Sequence, residues 1–307
     1  MKYLITGHNG FIGRNYIEHL RKKDKTSQIY GLSRTKINTP LNNIKEIDLN
    51  LSNPFLNTII GEIKPDVIIH LASRRFGSLD ELFEDNVIAT ENLLIAVKNL
   101  KKPTKTIIIG SSAEIGQPKG IAPIKENDIC TPVDYYGLTK LMQSNLAYQY
   151  SIHHSIHITR LRFFNILGQR MPDTLLAGKA IQAFKKELRK KETTPINFGD
   201  LTSFRDYVDI KDICNAIDLA IKNGKTGELY NIGSGKATQG IELINKLIDA
   251  CPIKSPLLSY TYDSKTSSIV PIQIANISKV KIGLKWKPLI SLEETLKDMW
   301  TYELNND

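Results

Sequence analysis

Cysteine is scarce in this chain, and long apolar runs are missing. The three cysteines, Cys130, Cys214 and Cys251, are scattered along 307 residues and form no Cys-x-x-Cys pair. Their odd number and wide spacing argue against a disulfide framework and against a cysteine-based metal site, so we expect reduced thiols and no bound metal. No segment approaches the ~18 apolar residues of a membrane span, and the short run Met1–Thr6 does not predict a secretory leader. We therefore expect a cytoplasmic protein without a membrane partner.

A concentrated patch of charge is also missing, although the formal net charge is +9. The lysines are spread over many predicted helices, and the densest basic run, residues 185–191, resembles a solvated helix end. Nucleic-acid binding usually needs basic residues interleaved with stacking aromatics, so we expect no nucleic-acid partner. The positive charge then reflects either a lysine-rich proteome or the attraction of small anionic ligands.

Short apolar runs alternate with amphipathic segments in the first half of the chain. Apolar runs of this kind between helices indicate strands that are buried on both faces. The alternation predicts an α/β fold of the Rossmann type, with a doubly wound parallel sheet. The predicted strands are Lys2–Thr6, Gln28–Ser33, Ile44–Asp48, Asp66–His70, Lys105–Gly110 and Ile156–Phe163.

The pattern loosens after Asn165, where helices are separated by short strands and by loops that contain glycine and proline. We expect residues 1–165 to form the sheet domain, with a return segment near 209–232. Residues 166–307 should form a smaller lobe of mixed character, which closes over the carboxyl ends of the strands and binds the substrate.

A glycine-rich segment, Gly7–Gly13, joins the first predicted strand to the first predicted helix. Gly7 permits a tight turn, Gly10 lets the backbone approach a pyrophosphate, and Gly13 lets the helix pack closely on the strand. The N-terminus of the helix then offers free N–H groups to the phosphates. An ordinary glycine turn is the competing interpretation. The segment predicts a dinucleotide site at Gly7, Asn9, Gly10, Phe11, Ile12 and Gly13.

The end of the second predicted strand discriminates between dinucleotides. An acidic residue there would bind the ribose 2′-hydroxyl of NAD, whereas an arginine suits the 2′-phosphate of NADP. The chain has Ser33 and Arg34 at this position and no carboxylate, so we expect NADP(H), with NAD(H) as the alternative. A plain surface arginine is the competing interpretation. Asp48 and Leu49, which end the third strand, are candidates to contact the adenine.

Tyr136 and Lys140 are four residues apart and therefore share one face of a predicted helix. A tyrosine is a poor acid–base catalyst at neutral pH, and a neighbouring ammonium would lower its pKa. Ser111 and Ser112 end a predicted buried strand, on the sheet edge where such folds bind ligands. A hydroxyl there can orient a reacting oxygen. The Tyr–Lys spacing alone is common by chance, but its combination with the glycine loop predicts a catalytic centre.

Together these motifs resemble the extended short-chain dehydrogenase/reductase family, also called NAD-dependent epimerases/dehydratases, over most of the chain. Ser112, Tyr136 and Lys140 match the Ser-Tyr-Lys triad of that family, which implies that Ser112 is the catalytic hydroxyl. The segments that carry the resemblance are Thr6–Gly13, His70–Ser73, Gly110–Glu114, Phe164–Ile166, Arg205–Asp209 and Gly227–Gly235.

The resemblance also implies which further residues line the site. Relatives often dimerise through two long helices, here residues 79–99 and 135–152, so we expect a homodimer. Further cofactor contacts are expected from Leu71, Ala72, Ser73, Asn86, Ser111, Tyr136, Lys140, Phe163 and Ile166. Contacts with a nucleotide-sugar substrate are expected from Ser112, Ala113, Glu114, Asn165, Lys179, Asn197 and Arg205, of which the last faces the phosphates.

Within the family, the pattern is most similar to GDP-4-keto-6-deoxymannose reductases and related nucleotide-sugar reductases. This implies NADP(H)-dependent reduction of a nucleotide-activated 4-keto-6-deoxy sugar, with hydride from NADPH and a proton from Tyr136. A nucleotide-sugar 4-epimerase or a 4,6-dehydratase is the alternative. The dehydratases carry Thr-Asp-Glu or Thr-Ser-Glu where this chain has Ser112-Ala113-Glu114, which keeps one carboxylate. A non-catalytic NADP-binding regulatory protein is the alternative outside enzymes.

One position departs from the family in the late part of the chain. Val270 stands where the family often has an arginine that helps to hold the substrate's diphosphate. Lys179 or Lys265 could supply the missing charge.

Overall fold

A computed structural model of the chain describes residues 1–34, 44–189, 195–253, 260–262 and 269–306. A π-helical turn spans Glu84–Ile88, and a 3₁₀ turn spans Ser112–Glu114. The strands, numbered along the chain, are β1 (Lys2–Thr6), β2 (Gln28–Ser33), β3 (Lys45–Asp48), β4 (Val67–His70), β5 (Lys105–Ser111), β6 (Ile158–Phe163), β7 (Asn165–Leu167), β8 (Ile196–Phe198), β9 (Phe204–Arg205), β10 (Tyr207–Asp209), β11 (Leu229–Ile232), β12 (Thr238–Gln239), β13 (Tyr260–Tyr262) and β14 (Ile272–Gln273). The α-helices are α1 (Phe11–Lys23), α2 (Leu56–Ile63), α3 (Leu79–Phe83), α4 (Ala89–Lys98), α5 (Tyr135–His153), α6 (Leu176–Glu187), α7 (Ile210–Asn223), α8 (Gly240–Asp249), α9 (Ser278–Gly283) and α10 (Leu292–Asn305).

Seven parallel strands form the central sheet, in the order β11-β6-β5-β4-β1-β2-β3. This arrangement confirms the predicted α/β fold with a doubly wound parallel sheet. The order of the strands reverses at β1, because β2 and β3 follow on one side of it and β4 and β5 on the other. In folds of this class a crevice opens at such a reversal, beyond the carboxyl ends of the strands. The loops that follow β1, β2, β4 and β5 meet at this edge.

The central strands are apolar at consecutive positions because helices cover both faces of the sheet. Ile5 and Ile69 pack in one cluster with residues of α1 and α7, whereas Leu4 and Ile68 pack in a second cluster with residues of α2 and α4. All four side chains are fully buried. Adjacent residues of a strand point to opposite faces, so an unbroken apolar run is what a sheet covered on both sides requires.

A third apolar cluster lies in the C-terminal part of the chain, among α6, α8 and α10. Phe184 and Trp300 are among its fully buried members, and the indole N–H of Trp300 donates to the Leu247 carbonyl oxygen at 2.7 Å. The proposed division into residues 1–165 and 166–307 stays a prediction.

The helix predicted after β4 is interrupted where the π turn joins α3 to α4. π turns inside α-helices are rare and occur often at functional sites. This one carries Asp85 and Asn86, which both contact the loop after β4.

Across the described ranges, no helix is long and apolar enough to span a membrane. Within the same ranges, no three or more His, Cys, Asp and Glu side chains are grouped so that they could hold a metal ion. Cys130, Cys214 and Cys251 form no disulfide bonds in the part of the chain that the structure describes.

Candidate active site

The glycine loop after β1 has the backbone that its sequence predicts. Gly7 has a φ of +67°, and a Cβ at this position would lie 2.6 Å from the backbone nitrogen of Ala72. A Cβ at Gly13 would lie 2.5 Å from the Gly7 carbonyl oxygen, so α1 starts in close contact with the loop. By contrast, a Cβ at Gly10 would approach only that carbonyl oxygen, at 3.3 Å. The loop is therefore tight against the sheet and open at Gly10, which fits the approach of a dinucleotide's phosphates.

The glycine loop borders a groove at the edge of the sheet. The end of β2 forms the next part of the border of this groove. Asn9 Nδ2 donates to the Ser33 hydroxyl at 2.7 Å, which ties the glycine loop to β2. Leu49 N–H donates to the Ser33 carbonyl oxygen at 2.9 Å, so the end of β3 lies beside it, and Asp48 is exposed there. Arg34 does not point freely into solvent, because its Nη1 donates to both carboxylate oxygens of Asp85 at 2.7 and 2.8 Å.

The loop after β4 borders the groove on its other side. Ala72 N–H donates to the Thr6 hydroxyl at 3.2 Å, so the loop lies beside the end of β1. Asn86 is fully buried, accepts from the Ser73 hydroxyl at 2.9 Å and donates to the Thr139 hydroxyl at 3.0 Å. The structure thus places Asn86 behind the loop, where it joins the loop to α5, and not on the wall of the cavity described next.

A cavity of about 860 Å³ opens at the carboxyl edge of the sheet, between the glycine loop, the loops after β4 and β5, and the C-terminal part of the chain. Many of the predicted residues meet there. From the predicted cofactor residues, the cavity is lined by Phe11, Ile12, Leu71, Ser73, Ser111, Tyr136, Lys140, Phe163 and Ile166. From the predicted substrate residues, it is lined by Ser112, Ala113, Asn165 and Arg205.

Tyr136 lies at this cavity beside the end of β5. Burial raises its pKa, while Ser111 and the positive charge of Arg75 act to lower it. Of the two serines, Ser111 is the one that acts on the pKa of Tyr136, whereas the sequence favours Ser112, whose catalytic role stays a prediction. β5 extends through Ser111 and the 3₁₀ turn starts at Ser112, so the chain changes direction between the two serines.

Lys140 is buried one turn further along α5, and its Nζ donates to the Ile109 carbonyl oxygen at 2.7 Å. Burial lowers the pKa of Lys140 to about 8, although the Glu114 carboxylate acts in the opposite direction. We expected Lys140 to keep the pKa of Tyr136 low. In this structure burial dominates and the pKa is raised, so that expectation is not met.

Glu114 does not reach the cavity, in contrast to the prediction from the sequence. Its side chain is 0 % exposed; one carboxylate oxygen accepts the Ser111 N–H at 2.8 Å, and the other accepts Nε of Arg162 at 3.0 Å. A buried carboxylate needs such partners because unpaired burial of a charge is very costly. The predicted substrate contact of Glu114 is therefore wrong, and its partner in β6 explains why.

Lys179 and Asn197 also lie away from the cavity. In α6 the residues at helical spacing around Ala180 and Phe184 face the third apolar cluster, which leaves Lys179 on the exposed side. In β8, Phe198 is buried in the same cluster, so the alternation of a strand turns Asn197 outward. Neither residue lines the cavity, and the predicted substrate contacts of both stay predictions. Lys265 lies outside the described residues.

Two residues that the sequence analysis missed belong to the cavity wall. Arg75 follows Ser73 in the loop after β4, and its guanidinium carbon lies 5.8 Å from the centre of the Tyr136 ring. Gln273 Nε2 donates to the Ser112 and Gly116 carbonyl oxygens at 3.1 and 2.9 Å. Nothing in the sequence distinguishes Arg75 from the adjacent arginine, and the contacts of Gln273 span about half the chain, so no local signal could reveal them.

Comparisons with known proteins agree with this geometry. The model of the NAD dependent epimerase/dehydratase family matches residues 3–233. GDP-6-deoxy-D-talose 4-dehydrogenase from Aggregatibacter actinomycetemcomitans is 30 % identical over 76 % of this chain and 75 % of its own length. The dTDP-6-deoxy-L-talose 4-dehydrogenase (NAD(P)(+)) from Kitasatospora kifunensis is 25 % identical over 97 % of this chain and 94 % of its own.

A solved structure extends the similarity to the whole fold. UDP-glucuronic acid 4-epimerase from Bacillus cereus, in complex with UDP-glucuronic acid and NAD, has a TM-score of 0.86 and 26 % identity, and the match covers 100 % of both chains. With the sheet, the glycine loop and the Tyr–Lys pair in place, the chain belongs to the NAD dependent epimerase/dehydratase family of enzymes.

Proposed function

We propose that this enzyme reduces a nucleotide-activated 4-keto-6-deoxy sugar with NADP(H). The observation that carries the proposal is the surroundings of Tyr136. The residue lies at the cavity beside Ser111, and burial raises its pKa. A tyrosine in that state begins the reaction as a neutral phenol, which is the form that can donate a proton to a new alkoxide.

The groove beside the cavity would hold the dinucleotide. The glycine loop Gly7–Gly13 would receive its phosphates, and Ser33 and Arg34 would lie at the adenosine ribose, with Asp48 and Leu49 toward the adenine. When bound, NADPH supplies the hydride. The residues of the loop after β4, Leu71, Ala72 and Ser73, would complete this side of the groove.

The chain's own residues then manage the proton. Ser111 takes the orienting role first assigned to Ser112, and it holds the keto oxygen of the sugar. Tyr136 donates its phenolic proton to that oxygen as negative charge develops there. The ammonium of Lys140 favours the phenolate that remains, because an opposite charge stabilises the ionised form.

Arg205 would bind the diphosphate of the sugar nucleotide. It lines the cavity together with Asn165 and Ser203, and a guanidinium can contact phosphate oxygens with two parallel hydrogen bonds. Val270, which replaces the arginine found in relatives, also lines the cavity and supplies no charge. The positive side chains among the described lining residues are Arg75, Lys140 and Arg205, and the negative one is Asp134.

The position of Ser111 weakens the dehydratase alternative. In dehydratases of the family, the residue that carries the reacting hydroxyl is followed in the sequence by Asp-Glu or by Ser-Glu. Here Ser111 is followed by Ser112 and Ala113, and Glu114 is turned toward Arg162. Among the described residues that line the cavity, the one acid is Asp134 at the N-cap of α5, and it does not follow Ser111 in the sequence.

A nucleotide-sugar 4-epimerase is the second candidate. The same serine, tyrosine and lysine would serve it, and the Asp85 carboxylate held at Arg34 is an observation that suits NAD as well as NADP. A non-catalytic NADP-binding regulatory protein would need no such acid–base group. This chain, however, retains the serine, the tyrosine and the lysine.

The test is a panel of nucleotide sugars with both dinucleotides. A reductase consumes NADPH in step with a 4-keto-6-deoxy sugar nucleotide, whereas an epimerase interconverts sugars at C4 with no net change in the dinucleotide. Product formation by NMR separates the two activities, and Tyr136→Phe is the control. If wild-type enzyme epimerises UDP-sugars but leaves every keto sugar unreduced, the reductase proposal is wrong.

A further inference from the structure

Three charged residues form a bridge between the end of β2 and the loop after β4. Arg34 follows β2 and Arg74 lies in the loop after β4, so the two arginines stand on opposite sides of β1. Asp85 joins them, because it accepts Nη1 of Arg34 with both oxygens and Nε of Arg74 with one. The groove thus contains a carboxylate that comes from neither of the strands bordering it.

The π turn explains how this carboxylate is held. Asp85 is one residue before Asn86, which is fully buried and bound to Thr139 and to the loop after β4. The side chain of Asp85 is only 12 % exposed, while that of Arg34 is 47 % exposed. The acid is therefore the more buried member of the pair and the arginine is the more exposed one.

We propose that Asp85 is the specificity-determining residue that sets this enzyme's balance between NADPH and NADH. The inference rests on the proposed binding of the adenosine ribose at Ser33 and Arg34. An arginine alone would favour the 2′-phosphate, and an acid alone would favour the 2′-hydroxyl. Here both are present and paired, and Asp85 cancels part of the positive charge that Arg34 offers.

The consequence differs for the two cofactors because of charge. A 2′-phosphate must compete with the Asp85 carboxylate for the Arg34 guanidinium, and it is repelled by that carboxylate. A 2′-hydroxyl carries no charge, so NADH leaves the Arg34–Asp85 pair intact. The wild-type chain should therefore discriminate only weakly between NADPH and NADH. Removal of the Asp85 carboxylate should tighten the binding of NADPH and leave that of NADH nearly unchanged.

The experiment measures dissociation constants of NADPH and NADH by titration of the whole chain, without any sugar substrate. Asp85→Asn keeps the shape and removes the charge, and Asp85→Ser is a second variant in case the first is unstable. We expect NADPH to bind about three- to fivefold more tightly, in line with the modest strength of an ion pair whose arginine is 47 % exposed, and NADH to change by less than about twofold. Glu81→Gln is the matched control, because Glu81 pairs with Arg74 but not with Arg34, and it should leave both constants unchanged.

Arg34→Ala separates the failure of this inference from that of the proposed cofactor. If Arg34→Ala weakens NADPH but neither Asp85 variant tightens it, or if both dinucleotides shift equally, Asp85 does not set the preference. If Arg34→Ala leaves NADPH binding unchanged, the assignment of the 2′-phosphate site fails and the role of Asp85 fails with it.

Discussion

Replacing Glu114 by alanine should destabilise the fold. The variant that remains folded should still catalyse the reaction. The substitution leaves the guanidinium of Arg162, whose side chain is 3 % exposed, without its carboxylate, and it also leaves the Ser111 N–H without its acceptor. Breaking a buried ion pair from one side costs about 3–5 kcal/mol. The loss in the free energy of unfolding should lie at the upper end of single-residue effects, because the carboxylate itself is 0 % exposed.

Denaturant unfolding followed by tryptophan fluorescence measures this loss. Trp286 and Trp300 are both buried, one in the first apolar cluster and the other in the third, so the signal reports on both. Glu18→Ala is the control, because Glu18 also pairs with an arginine but is 39 % exposed; exposed pairs contribute about 0–1 kcal/mol. Turnover of the surviving folded Glu114→Ala protein should stay within about tenfold of wild type, since Glu114 does not line the cavity.

A double substitution tests whether the loss of stability comes from the unpaired charge of Arg162. Glu114→Met combined with Arg162→Met removes both charges, and it should be less destabilising than Glu114→Ala, because replacing a buried pair by apolar groups is often close to neutral. A Glu114→Ala protein with wild-type stability and no turnover would contradict the structural role and restore the sequence-based one.

The other predictions concern the site and the assembly. Ser111→Ala should reduce kcat by about 10²-fold, whereas Ser112→Ala should change it by less than about threefold; equal losses in steady-state assays would undo the reassignment. Tyr136→Phe should lower kcat by about 10²–10⁴-fold while NADPH titration stays unchanged, and near-normal turnover would rule out the proton donor. Arg205→Ala should raise the Michaelis constant of the sugar nucleotide roughly tenfold or more, and an unchanged constant would point to a structural role. For the expected homodimer, Met142→Glu should yield monomers in sedimentation, and a monomeric wild type would refute it. The exposed apolar side chains of α3, α4 and α5 that motivate this test are Leu79, Ile95, Leu138, Met142 and Ile152.

The parts of the site that depend on local backbone could be predicted from the sequence. Gly7 and Gly13 are needed because a Cβ would collide with residues close by, and their spacing between a strand and a helix reveals this. The choice between Ser111 and Ser112 could not be made, because it depends on the last residue of β5, and strand ends are poorly defined by sequence.

Partners far along the chain account for the other differences. The position of Glu114 depends on Arg162 in β6, and that of Arg34 depends on Asp85 in the π turn. Neither pair leaves a periodic or local signal, since each partner lies about 50 residues away. Local sequence patterns therefore predicted several residues that line the cavity, whereas charge pairing over long distances decided where the side chains of Glu114 and Arg34 lie.

The contacts of Gln273 bear on the order in which the protein becomes active during synthesis. Gln273 and Phe11 line the same cavity, so its wall is complete only after almost the whole chain has been made. The strands β1 to β6 lie early in the chain and are consecutive neighbours in the sheet, and a unit that is synthesised first can fold before later segments arrive. A nascent chain could thus shape the glycine loop well before it has a finished cavity, and the loop after β5 would gain its support from Gln273 last.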